Sequence, residues 1–123
     1  MMDFPLQSAL NKAIQSEERW DSGIGIIYRV LSNDFQYGDP FNLVVFAGNH
    51  DMQRTFSQLD ERLDLLKMAL SFIATTRGIP QIYAGTEIAM PSTEDHGELR
   101  KDFPGGWKND QVNAFHDISL SSI

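Results

Sequence analysis

The stretch Phe41-Asn42-Leu43-Val44-Val45-Phe46-Ala47-Gly48-Asn49-His50-Asp51 runs from an apolar segment through a small pair into three polar side chains. A short run of β-branched and aromatic residues, ended by Ala47-Gly48, suits a strand covered on both faces, as the parallel strands of α/β proteins are. Asn49, His50 and Asp51 then stand at the carboxyl end of that strand. In α/β sheets and barrels the loops converge there, and ligands bind there. A purely structural reading weighs about as much from position alone: Asp51 caps the next helix, and Asn49 and His50 satisfy nearby backbone groups.

Downstream, Leu59, Leu63, Leu66, Leu70 and Ile73 form one stripe of a long amphipathic helix with charges on its other face. Gly78 stops that helix and Pro80 cannot continue it, so Ile79 to Tyr83 reads as a second short strand ending in Ala84-Gly85. Strand, helix and strand with short connections make a βαβ unit, with parallel strands and a right-handed crossover. Upstream, Pro5 suits a first helical turn, and Leu6, Ala9, Leu10, Ala13 and Ile14 share a helix face. Residues 15–22 are polar around Trp20. Ile26, Ile27, Val30 and Leu31 then mark a second helix despite Gly23 and Gly25, and Asn33 to Pro40 is a loop leading into the strand. After Gly85 regular patterning ends. Residues 91–98 form a polar loop, and Asp102-Phe103-Pro104-Gly105-Gly106-Trp107 forms a rigid aromatic turn. A long loop on the carboxyl side of a strand points to function.

The 123 residues have the size of one domain and the composition of a soluble globular protein. A net charge of -7, with ten scattered basic residues, argues against nucleic acid as a partner. The chain has no cysteine, which excludes disulfides and thiolate chemistry and fits the periplasm and the cytoplasm equally. No apolar run approaches the roughly 18 residues of a membrane span, and the first residues lack the pattern of a signal peptide, so neither membrane nor anchor is expected.

His50 and Asp51 side by side offer a donor and acceptors to sugar hydroxyls, and the same pair suits acid–base work. Metal binding is the weaker reading, because adjacent side chains of an extended chain point apart and no third ligand sits at a recognisable spacing. His96 and His116 lie in loop-like sequence and read as surface or structural residues. Trp107, Phe103 and Tyr83 offer flat faces that suit sugar rings or ordinary packing. No serine elbow and no glycine-rich phosphate loop is present. A carbohydrate site is therefore one option among several on this footing.

The motif Phe46-Ala47-Gly48-Asn49-His50-Asp51, with Arg54 after it, resembles the end of the seventh barrel strand in the α-amylase family of glycoside hydrolases. Gly78-Ile79-Pro80-Gln81-Ile82-Tyr83-Ala84-Gly85-Thr86-Glu87 resembles the eighth-strand motif of the same family. Asp95-His96-Gly97-Glu98-Leu99-Arg100-Lys101-Asp102-Phe103-Pro104-Gly105-Gly106-Trp107 is similar to the following loop in the neopullulanase and cyclomaltodextrinase branch. Met2 to Leu6 looks like the end of the sixth strand and the start of its helix.

The resemblance implies an α/β fold that is part of a (β/α)8 TIM barrel, from the end of strand six to the loop after strand eight. Residues 1–123 would form one incomplete domain, the C-terminal part of a catalytic barrel. The implied parent is a retaining α-glucan hydrolase, and its expected partner is an α-glucan oligosaccharide. Asp51 matches the carboxylate that stabilises the transition state. His50 matches a transition-state-binding histidine and Asn49 the residue that helps fix it. Arg54 follows the same motif as a substrate-binding residue, and Asp95 and Arg100 match a pair that contacts outer sugars. The nucleophile and the general acid, about 5 to 5.5 Å apart in retaining enzymes, come from strands four and five of the family and are expected upstream of Met1. Ala84 and Thr86 stand where many members carry Tyr and Glu or Asp, which leaves the role of Glu87 open. The resemblance assigns no metal or cofactor to these residues and leaves calcium elsewhere in the parent open. The isolated chain is expected to be inactive and to self-associate through open strand edges. The alternative is a non-catalytic carbohydrate-binding or structural module derived from such a barrel.

Overall fold

A computed structural model of the chain describes residues 1–17 and 19–117. Residue 18, within the polar stretch of 15–22, and residues 118–123, at the end of the expected domain, lie outside the described residues.

Helix α1 (Phe4–Gln15) begins where the Asp3 carboxylate accepts the Leu6 N–H at 3.0 Å, with Pro5 in the first turn. It buries Leu6, Ala9, Leu10 and Ala13. Helix α2 (Ile24–Leu31) starts two residues before the expected Ile26, because Gly23 takes a positive φ of 58° and turns the chain there. Ile27 packs into the core against α1.

Strand β1 (Val44–Phe46) is shorter than the apolar run that announces it. The reason lies just upstream. Asp39 accepts the Phe41 N–H at 3.0 Å and the Asn42 amide at 2.6 Å, holding Pro40–Asn42 in a 3-10 turn with Phe41 in solvent. Strand β2 (Ile79–Gln81) pairs with β1 in parallel, with Val44 opposite Ile79 and Phe46 opposite Gln81. The expected strand residues Ile82 and Tyr83 fall outside it. On the other side of β1, Met2 forms a parallel bridge with Val44, through Val44 N–H to Met1 O and Asp3 N–H to Val44 O, both at 2.9 Å. The spatial order is thus Met2, β1, β2, with parallel pairing throughout.

The crossover from β1 to β2 holds helices α3 (Thr55–Gln58) and α4 (Leu63–Thr75). This corrects the single helix expected from Leu59. Asp60 and Glu61 adopt left-handed φ of 53° and 56°, and the Glu61 N–H returns to Phe56 O at 2.9 Å, so the chain turns before α4 begins. Leu59 is nevertheless fully buried, with Leu66 and Ile73. The stripe identified burial correctly and helix continuity wrongly. Also corrected is the wholly irregular reading of residues 91–98, since helix α5 (His96–Leu99) starts within them.

The core lies between α1, α4 and β1, around Leu6, Leu10, Val45, Ala47, Leu59 and Ile73. Burying each of the larger of these side chains is worth roughly 1.5 to 3 kcal/mol, so this cluster dominates the stability. A polar clasp closes one end of it. Arg77 donates to Asp3 at 2.6 Å and to Asp34 at 2.7 Å, tying the start of α1 to the turn before β2. The hydrogen bonds to Asp34 are the main cause that holds the Arg77 pKa above its ordinary value. Coverage is uneven, because Val45 and Phe46 in β1 are buried while Ile79 in β2 remains 52% exposed. Among the described residues no helix is long and apolar enough to cross a membrane.

Candidate functional site

At the carboxyl end of β1, Ala47, Gly48 and Asn49 are buried and the chain turns sharply. The Asn49 side-chain oxygen accepts the Asp51 N–H at 2.9 Å, an Asx-type turn that leaves His50 and Asp51 in solvent. His50 Nε2 lies 3.3 Å from Asp51 Oδ2. The other oxygen, Asp51 Oδ1, accepts from Arg100 Nη2 at 2.6 Å, and Arg100 Nη1 lies 3.0 Å from His96 Nδ1. Asn49 therefore satisfies the backbone as the structural reading has it. Asp51 does not cap a helix, since α3 begins after Arg54 without a side-chain cap.

Arg54 is turned inward and is only 4% exposed. Its N–H donates to Ser92 Oγ at 2.9 Å, and its guanidinium donates to Ala84 O at 2.7 Å and Lys101 O at 3.3 Å. The same group lies 4.7 Å over the Tyr83 ring. Burial lowers the Arg54 pKa, with Tyr83 and Glu87 acting against the shift. Tyr83 in turn donates from its hydroxyl to Leu99 O at 3.0 Å, and Glu87 accepts the Gly85 N–H at 2.7 Å. These contacts make a floor that joins the loop after β1 to the loop after β2.

Asp95 caps α5 by accepting from the Gly97 N–H at 2.9 Å and the Glu98 N–H at 3.3 Å. Arg100 follows the other end of that helix. The structure thus gathers Asn49, His50, Asp51 and Arg100, places Arg54 beneath them, and engages Asp95 as a cap. His96 joins the cluster although its sequence context marks it only as a surface residue. Its spacing of four from Arg100 was the available signal, because such pairs meet on a helical turn. Both carboxylate oxygens of Asp51 face cationic or donor groups, and the side chain is 62% exposed. A solvent-facing carboxylate at the mouth of parallel strands can accept hydroxyl donors or stabilise developing positive charge. Among the described residues no group of three or more His, Asp or Glu is placed to hold a metal ion.

The family model for the α-amylase catalytic domain matches residues 1–116. Cyclomaltodextrin glucanotransferase of Bacillus sp. (strain 38-2) is 30% identical over 95 residues, 77% of this chain and 13% of its own length. The β/α-amylase of Paenibacillus polymyxa is 30% identical over 124 residues, 95% of this chain and 9% of its own. The chain thus spans a small part of the curated relatives it matches. Among solved structures, an α-amylase from Geobacillus thermoleovorans aligns with a TM-score of 0.69 and 32% identity, over 83% of this chain and 24% of that one. An Anoxybacillus α-amylase aligns over 97% of this chain and 25% of its own, with a TM-score of 0.67 and 26% identity. The α/β fold is related to amylase-type barrels, and its two-stranded parallel sheet fits an incomplete portion of one.

Proposed function

The chain belongs to the α-amylase family, and from that premise we propose that it forms the closing portion of the catalytic barrel of a retaining α-glucan hydrolase. Residues 1–123 are one unit of that barrel, from the end of its sixth strand to the loop after its eighth. The observation that carries the reading is the Asp51 carboxylate, exposed at the strand end and bonded to Arg100 at 2.6 Å. In the reaction, Asp51 accepts hydroxyls of the sugar at the scissile bond and stabilises the oxocarbenium-like transition state. His50 shares that contact, and Asn49 holds the turn that presents both. Arg54 supports the floor, while Asp95 and Arg100 serve sugars farther out.

Hydrolysis with retention also needs a nucleophile and a general acid about 5 to 5.5 Å apart. These belong to other strands of the parent, so the 123-residue chain by itself does not cleave. The segment from Asp95 to Trp107 supports the neopullulanase and cyclomaltodextrinase branch, and the Geobacillus relative solved with acarbose supports an oligosaccharide ligand. The test is to extend the reading frame upstream and assay the full product on maltooligosaccharides. The expected result is an encoded Asp nucleophile and Glu acid, hydrolysis by the whole product, and none by the 123-residue chain. Turnover by this chain alone, abolished by Asp51→Asn, would refute the proposal.

A further inference from the structure

We propose that the pocket beside Trp107 is a second carbohydrate-binding site, distinct from the Asp51 cluster, which takes a glucosyl unit of an α-glucan against the indole face. The pocket has a volume of about 460 Å3 and is walled by Asp102, Phe103, Pro104, Trp107, Asp110 and Gln111. It is an open depression on the surface, so a ligand held there keeps part of its own surface in water.

Its defining feature is an aromatic ring that is exposed and yet fixed. Trp107 is 67% exposed, but its Nε1–H donates to Asp102 Oδ2 at 2.8 Å, and its backbone N–H donates to Asp110 Oδ2 at 3.1 Å. The same Asp110 oxygen accepts the Gly105 N–H at 2.8 Å. Gly105 has a φ of 97°, and a Cβ there would lie 2.8 Å from the Asn113 backbone, so the turn has little freedom to rearrange. Beneath it, the Phe103 and Phe115 rings stand 4.7 Å apart, and the Ala114 N–H donates to Pro104 O at 3.0 Å. The Trp107 ring is oriented by hydrogen bonds and faces outward.

A pyranose suits such a wall. Its C–H face packs on the indole, and its hydroxyl edge meets the Asp110 carboxylate and the Gln111 amide, which supply acceptors and donors. Because Asp102 and Asp110 already hold the indole and its turn, little side-chain entropy remains to be lost on binding. The loop that carries Arg100 onto Asp51 carries Asp102 into the pocket wall two residues later. The choice of an α-glucan as ligand rests on the proposed function, whereas the existence of the pocket does not.

The test uses tryptophan emission of the Trp20→Phe chain, which leaves Trp107 as its one indole. Maltotriose should produce a saturable change that persists when Asp51→Asn is added. Trp107→Ala should weaken binding measured by calorimetry by about tenfold or more, and Trp107→Phe should stay within about threefold of the parent. No saturable change up to about 10 mM maltotriose overturns the pocket. Calorimetric binding without a Trp107 signal overturns it too, and leaves the α-glucan reading standing. A signal abolished by Asp51→Asn shows that Trp107 reports on the Asp51 cluster, which refutes a separate site.

Discussion

Arg100 Nη2 donates to Asp51 Oδ1 at 2.6 Å across 49 positions of the chain. With side chains 45% and 62% exposed, this pair adds little to stability by itself. Its consequence is positional, because it brings the loop after β2 onto the strand-end motif.

Asp51→Asn in the full-length parent should lower kcat by at least about two orders of magnitude, the scale of losing a preorganised electrostatic group. KM should move much less. Steady-state kinetics on a maltooligosaccharide decides it, and equal losses in rate and affinity would assign Asp51 to simple binding.

Arg54→Lys should loosen the floor without altering net charge. A lysine cannot serve Ala84 O and Lys101 O from one planar fork, nor lie flat over Tyr83 in the same way. The expected cost is about 1 to 3 kcal/mol, read from the urea midpoint, with faster proteolysis in residues 92–101. An unchanged midpoint would show that these carbonyls find other partners.

Much of the framework was legible, and the reasons differ by element. The helix period placed α1, and the apolar run followed by Asn49-His50-Asp51 placed a strand end and the polar residues beyond it. The leucine stripe could not reveal the turn at Asp60 and Glu61, because Leu59 is buried with or without helix around it. Strand length was overestimated because the Asp39 clasp on Asn42 competes locally with β pairing. Arg54 and His96 were hardest to place. Their positions depend on an aperiodic loop from Ala84 to Lys101, and no spacing encodes which carbonyl a guanidinium will meet.

Gly78→Ala tests the junction into β2. The residue has a φ of 104°, and a Cβ would lie 2.7 Å from Leu43 O and 2.9 Å from Val45 Cγ1. Neither the strained backbone nor the strand carbonyl can yield cheaply, because Leu43 O already accepts the Ile79 N–H at 2.8 Å. The substitution should destabilise by more than about 1 kcal/mol in chemical denaturation. A neutral effect would mean that the strand pairing shifts to accommodate it.

Arg77→Met removes the clasp between Asp3 and Asp34 and leaves Asp3, whose side chain is fully buried, without its cation. Breaking such a pair costs about 3 to 5 kcal/mol when both groups are buried, and about 3 kcal/mol is the better expectation where Asp34 is partly exposed. Asp34→Asn should cost less, since Asp3 keeps Arg77. The two denaturation midpoints give the order, and a loss for Asp34→Asn as large as that for Arg77→Met would show that the buried Asp3 gains nothing from Arg77.

The last prediction concerns the face that β2 leaves open. β1 is flanked by Met2 and by β2 and covered by α1, whereas the outer edge of β2 has no strand partner among the described residues. Ile79 and Ile82 are 52% and 57% exposed there, and Phe41, in the turn that leads into β1, is 70% exposed. Side chains of this kind gain roughly 1.5 to 3 kcal/mol each when fully buried, and an unpaired edge offers ready hydrogen-bond partners. Of the ways to cover this face, docking one of the chain's own helices is not what the structure shows, and the strands persist, though only three residues long. Self-association through β2 remains, and light scattering at about 0.1 mM should find dimers or larger species that dissociate on dilution. Ile79→Lys should shift the population toward monomer, because an edge charge disfavours pairing and carries a large desolvation cost. A monodisperse monomer at the same concentration, unchanged by Ile79→Lys, would show that the open face of β2 is stable in water.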